Sequence, residues 1–150
     1  MQPWQIFKLV HILSVVTALG ANFTYAFWLA QSNRDRQRLV FVIESIRRLD
    51  RRVANPAYIV VLLAGAATVL TGPFRFDTFW IGAAIMLYVL VAALGITIYA
   101  PAMRRQLALA GTDPGSPEYA TAARRSRVIG LVVTGIVIVI VALMVLKPTP

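Results

Sequence analysis

The sequence lacks cysteine altogether and contains a single histidine, His11. The absence of cysteine excludes disulfides, zinc sites built on thiolates and iron–sulfur clusters held by cysteine. Charged residues make up only 14% of the chain, against roughly 25% in soluble domains. A phosphate-binding glycine loop and the HExxH and GxSxG motifs are also missing from the sequence. We therefore predict no catalytic residue from the usual signals of soluble enzymes.

Apolar residues dominate the chain instead, with a hydrophobic fraction of 59% and a mean hydropathy of +0.72. Each of four apolar stretches is close to the ~20 residues that a helix needs to cross a bilayer. These predicted spans cover residues 5–30, 56–72, 79–101 and 127–146. The sequence thus predicts an all-α integral membrane protein, a four-helix bundle forming one domain over residues 1–150, with loops at 31–55 and 102–126.

The basic residues are distributed unevenly between the ends of the spans. Of the 15 lysines and arginines, 12 lie in or directly beside the two predicted loops, and Lys8, Arg75 and Lys147 lie at the opposite ends. The 12 are Arg34, Arg36, Arg38, Arg47, Arg48, Arg51, Arg52, Arg104, Arg105, Arg124, Arg125 and, at the start of span four, Arg127. By the positive-inside rule both loops are cytoplasmic and both termini are outside, in a multi-pass protein of the bacterial inner membrane. The basic residues that give the chain its net charge of +9 flank the spans. We therefore predict that they contact lipid head groups and not nucleic acid.

The first basic segment has amphipathic helical spacing, with apolar residues that include Leu39, Ile43 and Ile46. Two interpretations are open. The segment is either a helix on the inner leaflet that binds anionic lipid head groups or a partner, or a continuation of span one with snorkelling arginines. We favour the continuation. The second segment contains Gly111, Pro114, Gly115 and Pro117, and we predict a flexible tether there.

Small residues in the spans indicate where helices approach one another in the membrane. Span two contains Ala64, Thr68 and Gly72 at four-residue spacing, and span three contains several more small residues, among them Ala84. We expect spans two and three to pack most tightly and span four to face lipid over much of its length. The same surfaces could join other membrane helices or a second copy of the chain.

His11 lies about six residues inside span one, or roughly 9 Å at the helical rise. Ser14, Ala18, Ala21 and Tyr25 continue its face at three- and four-residue steps, so His11 is expected to point away from lipid. An intramembrane ionisable residue suggests a proton carrier, a metal ligand or a haem ligand. Alternatively, a neutral imidazole hydrogen-bonds to Ser14, Thr68 or a backbone carbonyl and fixes helix packing.

Several stretches together resemble a family of four-helix bacterial membrane proteins. They are "FKLVHIL", "ANPAYIVVLLAGAATVLTG", the "FW" that opens span three and the closing "VLKP". The chain resembles predicted integral membrane proteins related to HemJ-type protoporphyrinogen oxidase and to CopD-like membrane domains. This resemblance implies that His11 is an axial ligand of haem b, since the oxidase has its haem-ligating histidine at this place.

The resemblance fails at one position that the oxidase needs for activity. In the oxidase a lysine follows the tryptophan of span three by four residues, whereas here Ala84 follows Trp80 at that step. Tyr88 lies one turn further along the same face, and Met86 lies about 200° around the helix from Ala84. We therefore do not transfer the oxidase activity. Tyr88 and Met86 are left as the residues expected near a haem.

Two functions from different classes remain open. The chain is either a structural, assembly or accessory membrane subunit without a cofactor, or a haem-b protein in electron transfer or haem handling. In the second case His11 would bind the haem iron, with Tyr88 or Met86 nearby. We favour the subunit because a single chain supplies only one histidine.

Overall fold

The computed structural model describes residues 2–32 and 36–149, and every regular element among them is a helix. The six α-helices are α1 (Pro3–Ser32), α2 (Arg36–Leu49), α3 (Asn55–Thr71), α4 (Phe79–Leu94), α5 (Ala100–Thr112) and α6 (Pro117–Leu146). Two π-helical turns, Asp50–Ala54 and Gly95–Tyr99, join α2 to α3 and α4 to α5. The described residues contain no strand, and the predicted all-α class is confirmed.

Four helical stretches are long and apolar enough to cross a membrane, which confirms the four predicted spans. They are Pro3–Ser32, Arg38–Thr71, Phe79–Thr112 and Pro117–Leu146. Two of them are 34 residues long, well beyond the ~20 residues that a bilayer core requires. The extra length arises because the basic segments, predicted as loops, continue the spans as helix.

Each π-helical turn lies directly before a proline inside a long helix. The backbone N–H of Asn55 donates to the carbonyl of Asp50, and that of Ala100 donates to the carbonyl of Gly95, five residues back in both cases. Pro56 and Pro101 are the residues directly after these two donors. Because proline lacks an N–H and crowds the preceding turn, a wider turn lets the helix continue past it. The prolines mark the border between basic and apolar helix without ending the helix.

The first basic segment contains helix α2, which continues into α3 through the π-helical turn Asp50–Ala54. The favoured interpretation, a continuation of span one, is therefore wrong. Leu39, Ile43 and Ile46 are buried, and α2 packs back against α1. Arg34 lies outside the described residues. The predicted amphipathic spacing thus serves packing within the protein.

The second basic segment is also helical, so the prediction of a flexible tether is wrong. Helix α5 continues through Gly111 to Thr112, and α6 begins at Pro117 after four residues. The Ser116 hydroxyl accepts the Tyr119 N–H, and Asp113 Oδ1 accepts the Gly115 N–H. Proline is favoured at the first position of a helix, where its missing N–H has no intrahelical partner to lose. Pro117 therefore begins a helix here.

The chain divides into two compact units, Met1–Phe76 and Asp77–Pro150. In the first unit α1 packs along α3, and also against α2 and the first π-helical turn. In the second unit α6 packs against both α4 and α5. Ile81, Ala84 and Val91 are buried at three- and seven-residue steps along α4, and Val137 is buried on α6. Much of α6 is nonetheless exposed, as expected for a lipid-facing helix.

Candidate functional site

His11 connects α1 to α3. Its Nδ1 lies 2.8 Å from the backbone carbonyl oxygen of Val61. A carbonyl oxygen can only accept, so Nδ1 carries the proton and donates. Nε2 takes no part in this contact. Of the two interpretations, hydrogen bonding to a backbone carbonyl describes the observed contact.

The imidazole packs directly on the backbone of α3 at Gly65. A Cβ built at this glycine would lie 2.9 Å from Nδ1 and 3.1 Å from Cε1 of His11. Real Cβ atoms essentially never approach a neighbour that closely. Gly65 therefore provides the space in which the ring reaches the carbonyl one turn earlier. A backbone carbonyl was among the predicted partners of His11, but Gly65 was not, although a glycine within span two is a visible signal of close approach.

The face that carries His11 is buried as the sequence predicts. Ser14 and Ala21 are half-buried, and Ala18 and Tyr25 are 1% and 5% exposed. Farther along this helix, the side-chain amide of Asn22 donates to the Tyr58 hydroxyl. The Tyr25 side chain interacts with the carboxyl group of Asp50. Polar side chains on this face of α1 thus meet polar groups of the facing helix in three places.

Tyr88 and Met86 both lie on α4, in the second unit. Tyr88 is half-buried and follows Ala84 by one turn, on the stripe that also carries Ile81 and Val91. Because this stripe is the buried side of α4, Tyr88 belongs to the packed face of the helix. Met86 is 75% exposed and lies on another face. Within the second unit the two residues therefore do not share a surface.

No group of three His, Cys, Asp or Glu side chains among the described residues could hold a metal ion. His11 is the candidate ligand that the sequence singled out, and its Nδ1 is already used by Val61. A metal or haem iron would have to bind Nε2, as is usual when the other ring nitrogen donates to a carbonyl.

A second buried polar cluster lies between α5 and α6, and the sequence analysis missed it. The Ser126 hydroxyl donates to Gln106 Oε1 over 2.6 Å, and Gln106 Nε2 lies 3.5 Å from the Tyr119 hydroxyl. Gln106 and Ser126 are 3% and 2% exposed. These residues lie in the segment predicted as a tether, and the seven-residue spacing of Tyr119 and Ser126 was the signal that they share a helix face.

In both units lysine and tryptophan meet at the end opposite to the arginine-rich segments. The Lys8 ammonium lies 5.9 Å from the centroid of the Trp4 ring, and Lys147 lies 5.8 Å from that of Trp80. Phe74 packs edge-on against Trp4 with centroids 5.9 Å apart. Such distances permit cation–π attraction, and these residue types are typical of the membrane–water interface.

Comparison with known proteins places the chain in one family. A family model described as "Predicted integral membrane protein (DUF2269)" matches residues 5–148, so the chain belongs to this family. No curated protein matches the chain significantly, and no solved structure does. Membership agrees with the four apolar helices and identifies a multi-pass integral membrane protein.

Proposed function

We propose that the protein is a structural or accessory membrane subunit whose spans assemble with other membrane helices. The observation that carries this proposal is the bond from His11 Nδ1 to the Val61 carbonyl. The one histidine of the chain thus joins two helices. Asn22 on α1 likewise meets Tyr58 on α3.

The apolar surfaces of the spans give this subunit a means of assembly. Only 6% of the most apolar stretch of α1, and likewise of α6, is buried within the protein. Large side chains are exposed on the other spans too, including Leu70 at 74% and Met86 at 75%. In a membrane such surfaces contact either lipid tails or the helices of a partner. A partner helix is favoured over lipid when it packs more closely against the surface.

Site-specific photo-cross-linking in native membranes tests the proposal. A photo-reactive residue at Met86 is expected to form an adduct with another membrane polypeptide, which mass spectrometry would identify as a second copy or as a different protein. The matched control is the same residue at Ala84, which is 2% exposed on the same helix. If Met86 and further exposed sites on the other three spans yield lipid adducts alone, the subunit proposal fails.

A second candidate function is haem-b binding in electron transfer or haem handling. The tautomer of His11 favours it, since a histidine that donates from Nδ1 to a carbonyl has Nε2 available for an iron. The resemblance to HemJ-type oxidases and CopD-like domains points the same way. His11 would then hold the iron. Ala84 stands in place of the oxidase lysine, so oxidase activity is not part of this candidate.

The visible spectrum of protein purified from haem-replete cells separates the two candidates. A haem protein would show a haem absorption band that His11→Ala abolishes. His11→Asn is the matched variant, because its amide can still donate to Val61 but is a poor ligand for iron. A colourless wild-type protein would end the haem candidate.

We also infer an orientation with both termini outside the cytoplasm, in the bacterial inner membrane. The support is the distribution of the basic residues, 12 of 15 of which lie in the two basic segments. Both Lys–Trp contacts lie at the opposite ends, where an outer interface is expected.

A further inference from the structure

The α5–α6 hairpin of the second unit has a groove with a volume of about 410 Å³. Its lining combines apolar residues, among them Ile98, Pro101 and Ala122, with the polar residues Arg105, Arg125 and Thr121. Because α5 and α6 run in opposite directions from the short turn at residues 113–116, Arg105 and Arg125 lie at similar distances from that turn. Two guanidinium groups therefore lie at one level of the groove.

Neither arginine is neutralised by a neighbour. Within the part of the chain that the structure describes, Arg105 and Arg125 have no ion-pair or hydrogen-bond partner. Glu118 also lines the groove but lies seven residues before Arg125, or about 10 Å along the helix. The two arginines and this carboxylate leave the groove with a net charge of +1.

The two arginines lie just beyond the ends of the apolar helix segments, where phospholipid head groups are expected. The apolar part of the α4–α5 helix ends near Tyr99, and that of α6 begins near Val128. Arg105 follows Tyr99 by six residues, or about 9 Å, and Arg125 precedes Val128 by about 4.5 Å. Ile98 and Pro101 line the groove on the side nearer the membrane core. The groove thus presents apolar residues at the border of the apolar helix segment, and positive charge beyond that border, where head groups are expected.

We propose that this groove binds one anionic phospholipid, whose phosphodiester lies between Arg105 and Arg125 and whose acyl chain lies against Ile98 and Pro101. Guanidinium groups match phosphate oxygens with paired N–H donors, and two unpaired ones in a single groove favour a phosphate over a monovalent counterion. Basic residues beside membrane spans attract anionic lipid by about 1 kcal/mol each, which corresponds to about five-fold in affinity. This site is independent of the proposed role as a subunit.

Native mass spectrometry of the intact protein in an uncharged detergent measures the retained lipid. Phosphatidylglycerol and phosphatidylcholine with identical acyl chains are titrated separately, and inorganic phosphate serves as a third probe. We expect one phosphatidylglycerol to bind with a preference over phosphatidylcholine, and excess phosphate to leave it bound. Equal binding of both lipids, or displacement by inorganic phosphate, would overturn the proposal.

A pair of double variants separates the groove from general attraction by positive charge. Arg105→Gln with Arg125→Gln should weaken phosphatidylglycerol binding about 30-fold, from about five-fold for each arginine. Arg104→Gln with Arg124→Gln is the matched control, since these exposed neighbours carry the same charge and do not line the groove. Equal effects of the two double variants would mean that a diffuse basic surface, not this groove, attracts the lipid.

Two single variants probe the shape and the charge of the groove. Thr121→Phe fills the groove without changing its charge, so phosphatidylglycerol binding should fall while the helical content stays unchanged. Glu118→Gln removes the one carboxylate and should tighten binding. Weaker phosphatidylglycerol binding by Glu118→Gln would contradict the proposal, because removing a negative charge from the groove cannot weaken a phosphate that is held by charge.

Discussion

The imidazole of His11 fills the space beside α3 that any side chain at Gly65 would need. The ring nitrogen that faces Gly65 is the same Nδ1 that donates to the Val61 carbonyl, 2.8 Å away. The glycine and the histidine therefore form one contact: the ring reaches the backbone only because the helix has no Cβ there.

The first prediction follows from this contact. Gly65→Ala should destabilise the protein, because a methyl group 2.9 Å from Nδ1 displaces the ring and breaks a hydrogen bond, at a cost of about 1–3 kcal/mol. Thermal unfolding in detergent measures the effect. Gly82→Ala on α4 is the control, since no atom lies within 4 Å of a Cβ built there.

A double variant tests whether the His11 ring and Gly65 depend on each other. In a His11→Ala background the ring is absent, so Gly65→Ala should cost nothing further and should gain the higher helix propensity of alanine. If the two substitutions are additive, the ring and the glycine are not coupled and the contact is unimportant for stability.

The second prediction concerns the buried cluster of Gln106 and Ser126. Ser126→Ala should lower the free energy of unfolding by about 1–3 kcal/mol, because it leaves the buried Gln106 Oε1 without its donor. Gln106→Leu combined with Ser126→Ala should be closer to wild type, since both partners of the 2.6 Å bond are then gone and only the long 3.5 Å contact of Gln106 Nε2 with the Tyr119 hydroxyl is lost besides. Ser45→Ala is the control, because that exposed hydroxyl bonds only to Phe41 within its own helix. A double variant less stable than Ser126→Ala would contradict this reasoning.

The sequence predicted the spans because hydropathy over ~20 residues reports directly on the membrane environment. It predicted the helix boundaries poorly, because Pro56, Pro101 and Pro117 have different roles that depend on the backbone around them. The first two follow π-helical turns and the third begins α6. Composition alone suggests a break at all three positions.

The candidate site, like the helix boundaries, could be predicted only in part. Periodicity identified the buried face of α1 and hence the direction of His11. The carbonyl that it meets depends on the register between α1 and α3, which a single sequence does not encode in any local pattern. Gly65 is one of four consecutive small residues, from Ala64 to Ala67, so the sequence alone does not distinguish it from its neighbours.

The third prediction tests packing in the second unit. Ala84→Phe should destabilise the protein, because Ala84 is 2% exposed on the face of α4 that packs within the unit, and overpacking costs about 1–3 kcal/mol. Ile138→Leu on α6 should be nearly neutral, since Ile138 is 52% exposed. Thermal unfolding of the two variants in the same detergent provides the comparison. Equal losses would refute the assignment of Ile138 to a lipid-facing surface.

The last prediction concerns the orientation of the chain in the membrane, which we infer from the distribution of the basic residues. The chain has no cysteine, so a single introduced cysteine is its only thiol. Asp77→Cys, at an exposed position away from the basic segments, should react with an impermeant maleimide in intact cells. Ser45→Cys on α2 and Thr112→Cys on α5 should react only after the membrane is permeabilised, because their arginine-rich segments are expected in the cytoplasm. All three sites are exposed, so a difference in labelling reports sidedness and not burial. Labelling of Ser45→Cys and Thr112→Cys in intact cells, with Asp77→Cys protected, would show that the orientation is the opposite one.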